Sequence, residues 1–362
     1  MTKRNVCYGT RDQTQSWNIT MSGLARVREK AQQTKGMNFT SLLHHITPEL
    51  LKDSYWSLKP KAAPGIDGLY WESVQTDFDN WITTIHRSIH NGSYRPKPAR
   101  RITIPKEDGS KRLISIQCLA DKVVQQATVR ILNQIYEVDF MGFSYGFRPG
   151  RSQHDALDAL SYAIVSQKVN WVLDLDIQRF FDTVPHEELI TMVKHRVQDN
   201  RIVKLITRWL KVGIQDETGT RQVGTQGIPQ GAVISPLLSN IYLHYVFDLW
   251  CHQWRRRRAS GDTCIIRYAD DAVVCFQYES DANRFRLQLS ERMRQFGLTL
   301  HPDKTALIRF GRFAIRDEKA RSGKKPGVFQ FLGFTHFCKI KRNGRFIVGR
   351  KTNRKKLRKQ IK

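Results

Sequence analysis

Two adjacent carboxylates, Asp270 and Asp271, stand in Arg267-Tyr268-Ala269-Asp270-Asp271-Ala272-Val273-Val274, where apolar, β-rich residues flank a short polar step. Held about 4 Å apart, two ionised Asp side chains repel by roughly 4 kcal/mol at an effective dielectric near 20. A multivalent cation turns that cost into a ligand set, and oxygen-only ligands select a hard ion, Mg2+ above all. Taken alone, Tyr-Ala-Asp-Asp fits a plain polar turn equally well, because Asp is a favoured turn residue. A third carboxylate decides the matter. It lies in Trp171-Val172-Leu173-Asp174-Leu175-Asp176-Ile177-Gln178-Arg179-Phe180-Phe181-Asp182.

The elements that must carry these acids follow from periodicity. Cys264 to Ile266 and Ala272 to Phe276 predict a β-hairpin with the Asp pair at its tip. Trp171, Leu173, Leu175 and Ile177 face one side of a strand, and Val172, Asp174 and Asp176 the other, so one side packs and the other presents acid to a cleft. Asp182 precedes Thr183-Val184-Pro185-His186-Glu187-Glu188, a helix start, and reads as a cap or structural acceptor. Leu237 to Trp250 is apolar nearly all round and predicts a helix buried beneath the acidic strands, and Asn283 to Phe296 predicts an amphipathic helix ended by Gly297.

Around this acidic centre the chain is strongly basic: 60 Lys+Arg against 33 Asp+Glu over 362 residues give a formal charge of +27. Such an excess costs self-repulsion and points to a polyanionic partner, most simply nucleic acid. The charge is interleaved with Tyr, Trp and Phe along the whole length, which favours a groove that tracks a nucleic-acid backbone over a detachable tail. The six cysteines are scattered without metal-ligand spacing and read as reduced. No apolar run reaches the roughly 20 residues that span a bilayer, and the N-terminus has no signal-peptide core, so no membrane partner and a cytoplasmic location are expected.

Several loops complement the acids. Lys59 to Gly68 holds two prolines and two glycines, a fixed loop whose Lys61 suits either a connector or a phosphate contact. Arg100 to Lys106 and Lys111 to Ile116 alternate like two strands around the turn Glu107-Asp108-Gly109-Ser110; Lys106 and Arg112 flank it, a pair suited to a triphosphate. Asp121 reads as the cap of a helix with Val124, Ala127, Ile131 and Ile135 on one face. Ser144 to Ser152 carries glycines, aromatics, Arg148 and Arg151, a loop able to lie on a sugar-phosphate strand while a ring stacks on a base. Val223 to Pro236 has glycines, Gly231 among them, that permit close backbone approach to a ligand. The run Arg255 to Arg258 reads first as a solvated loop and second as a nucleic-acid contact.

In order along the chain, Pro64-Gly65-Ile66-Asp67-Gly68, Ser144 to Ser152, the Asp176 strand with Phe180-Phe181-Asp182, Pro229-Gln230-Gly231 with Ser235-Pro236, Tyr268-Ala269-Asp270-Asp271 and Phe331-Leu332-Gly333-Phe334 resemble the reverse transcriptases encoded by bacterial group II introns. The resemblance covers residues 39 to 350. It implies an α+β right-hand polymerase of fingers and palm, the palm an antiparallel sheet packed on helices. It implies an RNA-directed DNA polymerase that extends a DNA or RNA primer with dNTPs on an RNA template, with the host intron RNA as a further partner. Two Mg2+ ions, with Mn2+ as a substitute, would be held by Asp176, Asp270 and Asp271 with the Ile177 carbonyl assisting. Phe181 resembles a steric gate against ribonucleotides, and Lys106, Arg112, Gln230 and Lys304 resemble nucleotide contacts. Lys61, Arg148, Arg151, Gly231, Phe331, Leu332 and Gly333 resemble template and primer contacts. A non-catalytic RNA-binding maturase cofactor and a domesticated palm polymerase in defence or repair are the competing readings.

The implied organisation is an N-terminal extension over 1–38, flexible in isolation, fingers over 39–165, palm over 166–349 with part of the fingers returning within it, and the first turns of a basic thumb helix over 350–362. Family members usually continue into a helical thumb, the maturase domain, and often into DNA-binding and endonuclease modules. None of these is expected after Lys362.

Overall fold

The computed structural model describes residues 23–105, 111–215, 221–222, 224–323 and 325–352. The chain forms two compact units, residues 1–139 with 186–238, and residues 140–185 with 239–362.

The first unit is mainly helical. Helix α1 (23–33) buries Leu24, Val27 and Ala31, an i, i+3, i+7 stripe. The described part of the N-terminal extension is therefore anchored by an amphipathic face, and residues 1–22 lie outside the described residues. Helix α2 (Pro48–Trp56) starts where Thr47 accepts from the Leu50 N–H at 3.2 Å, with Pro48 in the first turn. It packs on α3 (Phe78–His90) and on α4 (Leu119–Asp139), which buries Val124, Ala127, Ile131 and Ile135 as their spacing predicts. Asp121 does not cap α4. It lies inside the helix and accepts from the Tyr94 hydroxyl and, at 3.2 Å, from the Lys97 N–H. Strands β1 (Ala99–Pro105) and β2 (Lys111–Ile116) pair antiparallel from Arg100↔Ile116 to Pro105↔Lys111, so the hairpin forms as expected on either side of a turn outside the described residues.

The central sheet of the second unit is antiparallel, in the order β6 (Thr263–Tyr268), β7 (Asp271–Phe276), β3 (Trp171–Asp176), β8 (Ala306–Arg309). Registers Asp174↔Val273, Asp176↔Asp271 and Ile266↔Val273 put Val172, Asp174, Asp176, Asp271, Val273 and Ile266 on one face. That face is packed as well, because β3 lies between two neighbours and is covered at its start by α5 (Gln153–Ser166). Leu157, Leu160 and Ile164 of α5 meet Val172, Val273 and Cys275 in one core. Only the end of the acidic face stays open. The same packing places residues 140–165 in this unit.

Against the opposite face lies the stretch predicted as one helix over Leu237 to Trp250. It is helix α9 (Ser235–Leu243), a π-helical turn (His244–Asp248) and helix α10 (Leu249–Arg257). Beside it runs α11 (Glu279–Gln295), closed by Gly297 at φ 69°. Trp254 of α10 and Phe285 of α11 meet Phe276 of β7 with ring centroids 6.1 and 5.2 Å away, edge-on and tilted, and meet each other edge-on at 5.0 Å. A second sheet, β9 (Phe329–Phe331), β10 (Phe334–Ile340) and β11 (Phe346–Thr352), is also antiparallel. Residues 350–352 thus belong to a strand, with Thr352 opposite Phe334, because pairing with β10 satisfies their backbone groups; the rest of the expected thumb helix, 353–362, lies outside the described residues.

Candidate active site

The sheet brings three of the predicted acids to one place. Asp176 ends β3 directly opposite Asp271, the first residue of β7, and Asp270 occupies the two-residue turn between Tyr268 and Asp271. Directly opposed residues have Cβ atoms about 4.5–5.5 Å apart. Asp174 lies one step back on the same face. Burial raises the Asp271 carboxyl to about 7, aided by the neighbouring Asp174 and Asp270 charges, and burial with the Asp176 charge does the same for Asp174. A backbone hydrogen bond from Leu332 works in the other direction on Asp271. Lys304 Nζ approaches Asp176 Oδ2 at 3.5 Å.

The turn that carries Asp270 is held from beneath. Ala269 lies in the left-handed region at φ 57°, the first central position of a type II′ pattern, a conformation that costs a non-glycine residue on the order of 1–3 kcal/mol. Arg267, 1% exposed, donates Nη1 to the Ala269 carbonyl at 2.9 Å and to Asn240 Oδ1 at 3.0 Å. Its Nε and Nη2 grip Asp248 at 2.7 and 2.5 Å, and Asp248 is 0% exposed. Asn240 in turn donates to the Gly146 carbonyl at 2.7 Å. A Cβ on Gly146 would stand 2.2 Å from the Ala269 nitrogen, so only glycine lets the two backbones meet. The π-helical turn ends at Asp248, and such turns frequently occur at functional sites. Arg267, Asp248 and Asn240 went unnoticed in the sequence. The available signal was a lone arginine between buried Ile266 and the Tyr-Ala-Asp-Asp step.

The other predicted residues divide by surroundings. Phe181 is half-buried in a short helix (α6, Phe180–Thr183) that follows Arg179 at φ 47°, its ring edge-on to Phe180 at 5.3 Å. The bridge between Ile177 and Leu300 uses the Asp176 carbonyl and the Gln178 N–H, leaving the Ile177 carbonyl out of that pairing. Leu332 and Gly333 form the β9–β10 turn at φ 50° and 83°. Phe331, 1% exposed, packs in the core beside that turn. Arg148, 6% exposed, donates to the Met141 and Ser144 carbonyls at 2.8 and 2.7 Å. Arg151 donates to the Gly142 and Ser144 carbonyls at 2.5 and 3.2 Å and lies over the Tyr145 ring. The ring this loop does present is Phe147, 58% exposed and 6.2 Å from Tyr268.

In the first unit, the Gln230 carbonyl accepts from the Ser115 N–H at 2.6 Å, and Gly231, at φ 104°, has no room for a Cβ beside the Ser115 carbonyl. Lys61 is exposed. Arg112 stands on β2 opposite Ile104, and Lys106 lies outside the described residues.

Among the described residues no three acidic, His or Cys side chains form a ready-made metal cage. The donor chemistry fits a hard divalent cation, since Asp176, Asp270 and Asp271 offer only carboxylate oxygens, and neighbouring acids add to burial in raising the Asp271 carboxyl. Among the described residues no helix is long and apolar enough to cross a membrane.

Residues 104–336 match the family described as reverse transcriptase (RNA-dependent DNA polymerase). The chain is 37% identical over 200 residues to Protein YkfC of Escherichia coli (strain K12), covering 54% of this chain and 52% of that protein. It is 32% identical over 227 residues to the group II intron-encoded protein LtrA of Lactococcus lactis subsp. cremoris, covering 62% and 37% respectively. It is 25% identical over 234 residues to a nuclear intron maturase 4, mitochondrial, of Arabidopsis thaliana, covering 64% and 27%. The matched region therefore amounts to about half of the first relative's length and less of the other two.

Proposed function

Because this chain belongs to the reverse transcriptase (RNA-dependent DNA polymerase) family and resembles group II intron-encoded proteins, we propose that it extends a DNA or RNA primer with dNTPs on an RNA template. Its α+β architecture is the right-hand polymerase fold of that family. The observation that carries the reading is the meeting of Asp176, Asp270 and Asp271 at one sheet end above a buried arginine.

In this reading Asp176, Asp270 and Asp271, helped by the Ile177 carbonyl, hold two Mg2+ ions, or Mn2+ in their place. When bound, the ions activate the primer 3'-hydroxyl and neutralise the leaving pyrophosphate. Lys106 and Arg112 grip the triphosphate, Gln230 contacts the nucleotide, and Phe181 packs under the deoxyribose and excludes a 2'-hydroxyl. Lys304, already beside Asp176, balances charge on the phosphates. Lys61, Arg151, Gly231 and the Leu332-Gly333 turn line the template and primer path, with Phe147 as the exposed ring.

The test is dNTP incorporation on an annealed RNA template and DNA primer with Mg2+, comparing wild type with Asp270→Asn. Incorporation by wild type and its loss in the variant support the reading. The relative named as an intron maturase favours a second reading, an RNA-binding cofactor of splicing. Intron RNA binding with no metal-dependent incorporation by wild type would establish that reading instead.

A further inference from the structure

Behind the central sheet, helices α10 and α11 run side by side on the face opposite Asp174, Asp176 and Asp271. Residues 249–258 and 284–295 together hold eight arginines and one glutamate. Glu291 pairs with Arg294 at 2.8 Å, and Arg284 is engaged by the buried Asp281 and the Arg258 carbonyl. Arg256, Arg257 and Arg258 are exposed and make no ion pair among the described residues. A helix C-terminus favours basic residues by only about 0.3–1 kcal/mol, which explains one or two arginines in the last turn of α10 but not a doubled run facing more from α11.

Between the two helices lies a groove of about 410 Å3, at the small end of the range of about 300–1,000 Å3 for ligand pockets. Trp254 forms part of its lining, locked by its indole N–H on Gln288 Oε1 at 2.7 Å. Half-buried Trp250, the amides of Gln253 and Gln295, and the guanidinium groups of Arg257 and Arg258 also line it. Arg292 lines the groove too, as does Glu291, whose charge is met by Arg294, so aromatic surface, amide edges and a net excess of cations together match one unpaired nucleotide with its flanking phosphates. A duplex offers no free base to such a groove. A substrate lying at the acids, on the other face of the sheet, leaves these arginines unexplained.

We propose that the α10–α11 groove binds an unpaired stretch of an RNA strand, one base entering beside Trp250 and the adjoining phosphates meeting Arg257 and Arg258. The choice of RNA rests on the RNA-templated reading above; the groove itself does not. Fluorescence anisotropy with a labelled unpaired 20-nucleotide RNA, without metal or dNTP and with excess unlabelled RNA–DNA duplex, tests it across a salt series. The double variant Arg257→Gln/Arg258→Gln should weaken binding by about tenfold and flatten the log–log salt slope by about 1.4, the value for two phosphate contacts to a single strand. RNA carrying 4-thiouridine should photocrosslink to Trp250 in wild type. Incorporation on a short saturating template–primer should be unchanged in the variant. Equal affinity and slope in both proteins, or an equal loss for labelled duplex in place of unpaired RNA, overturns the proposal. A wild type that fails to incorporate dNTPs while the variant loses RNA affinity sinks the polymerase reading and leaves the groove standing.

Discussion

The two faces of one sheet handle charge in opposite ways. On one, Asp174, Asp176 and Asp271 are drawn together at a strand end, and burial plus mutual repulsion raises two of them to about 7. On the other, arginines of α10 and α11 are spread along largely exposed helix surfaces, and Arg267, which enters the interior there, is matched by Asp248. On the proposals above, the crowded acids are where a cation would be held and the dispersed arginines where a polyanion would be held. The buried Arg267–Asp248 pair belongs to neither class, since its guanidinium is spent on the backbone of the Asp270 turn.

The sharpest break of this contrast is at the acids. Asp270→Asn and Asp176→Asn should each lower dNTP incorporation by on the order of 10³-fold or more. The variants should keep the melting temperature of wild type or exceed it, because each removes a repelling charge. Steady-state incorporation together with a thermal melt reads both. Activity within tenfold of wild type would separate the acidic edge from catalysis altogether.

At Phe181 a smaller effect is expected. Removing the ring in Phe181→Ala should relax discrimination against ribonucleotides by about 10²-fold, a loss of some 2.7 kcal/mol of selectivity. Competing dNTP and rNTP incorporation measures it. Unchanged rejection of ribonucleotides would assign Phe181 to packing against Phe180 alone.

Next comes the support under the turn. Arg267→Met leaves Asp248 buried without its partner, a change that typically costs about 3–5 kcal/mol, so the protein should melt well below wild type. Arg267→Lys keeps the charge but loses the fork that serves Asp248, Asn240 and Ala269 together. It should fold, and incorporation should fall by about tenfold with a raised Mg2+ requirement. A lysine variant with wild-type metal dependence would reduce Arg267 to a purely structural role.

These contrasts follow what the sequence made legible. Alternation in Trp171 to Ile177 and the apolar flanks of Asp270-Asp271 specify two strands and a turn, and the β-register then brings the acids together with no further information. The same local logic gives the buried face of α4. It fails wherever a side chain's destination depends on a distant neighbour. The second cover on the acidic face comes from α5, whose apolar stripe looks like any other until it meets Val172 and Val273. Arg350 to Thr352 read as a basic helix start for lack of any local cue that Phe334 would pair opposite. The π-helical turn at His244–Asp248 leaves no trace in hydrophobic periodicity.

The smallest expected effect tests whether crowding or position makes an acid functional. Asp174 shares its face with Asp176 but lies one step further from the strand end, packed beside Val273 and Ala306. Its carboxyl is raised from an ordinary value near 4 to about 7, so the folded chain binds this proton more tightly than the unfolded chain does. The contribution to stability is therefore full below about pH 4 and is lost as the pH rises through about 7; Asp271 follows the same course. Metal-free wild type should melt lower at pH 8 than at pH 5.5 on account of these groups, and added Mg2+ at pH 8 should recover part of the difference. Asp174→Asn removes one of the two, raising the melting temperature most at pH 8, by about half as much at pH 5.5, and hardly at all at pH 4. Incorporation should stay within about tenfold of wild type, since Asn can still occupy the site while Asp176, Asp270 and Asp271 keep their charges. Loss of incorporation as deep as that of Asp176→Asn would make Asp174 a fourth member of the acidic centre, and the strand end would no longer mark the limit of the chemistry.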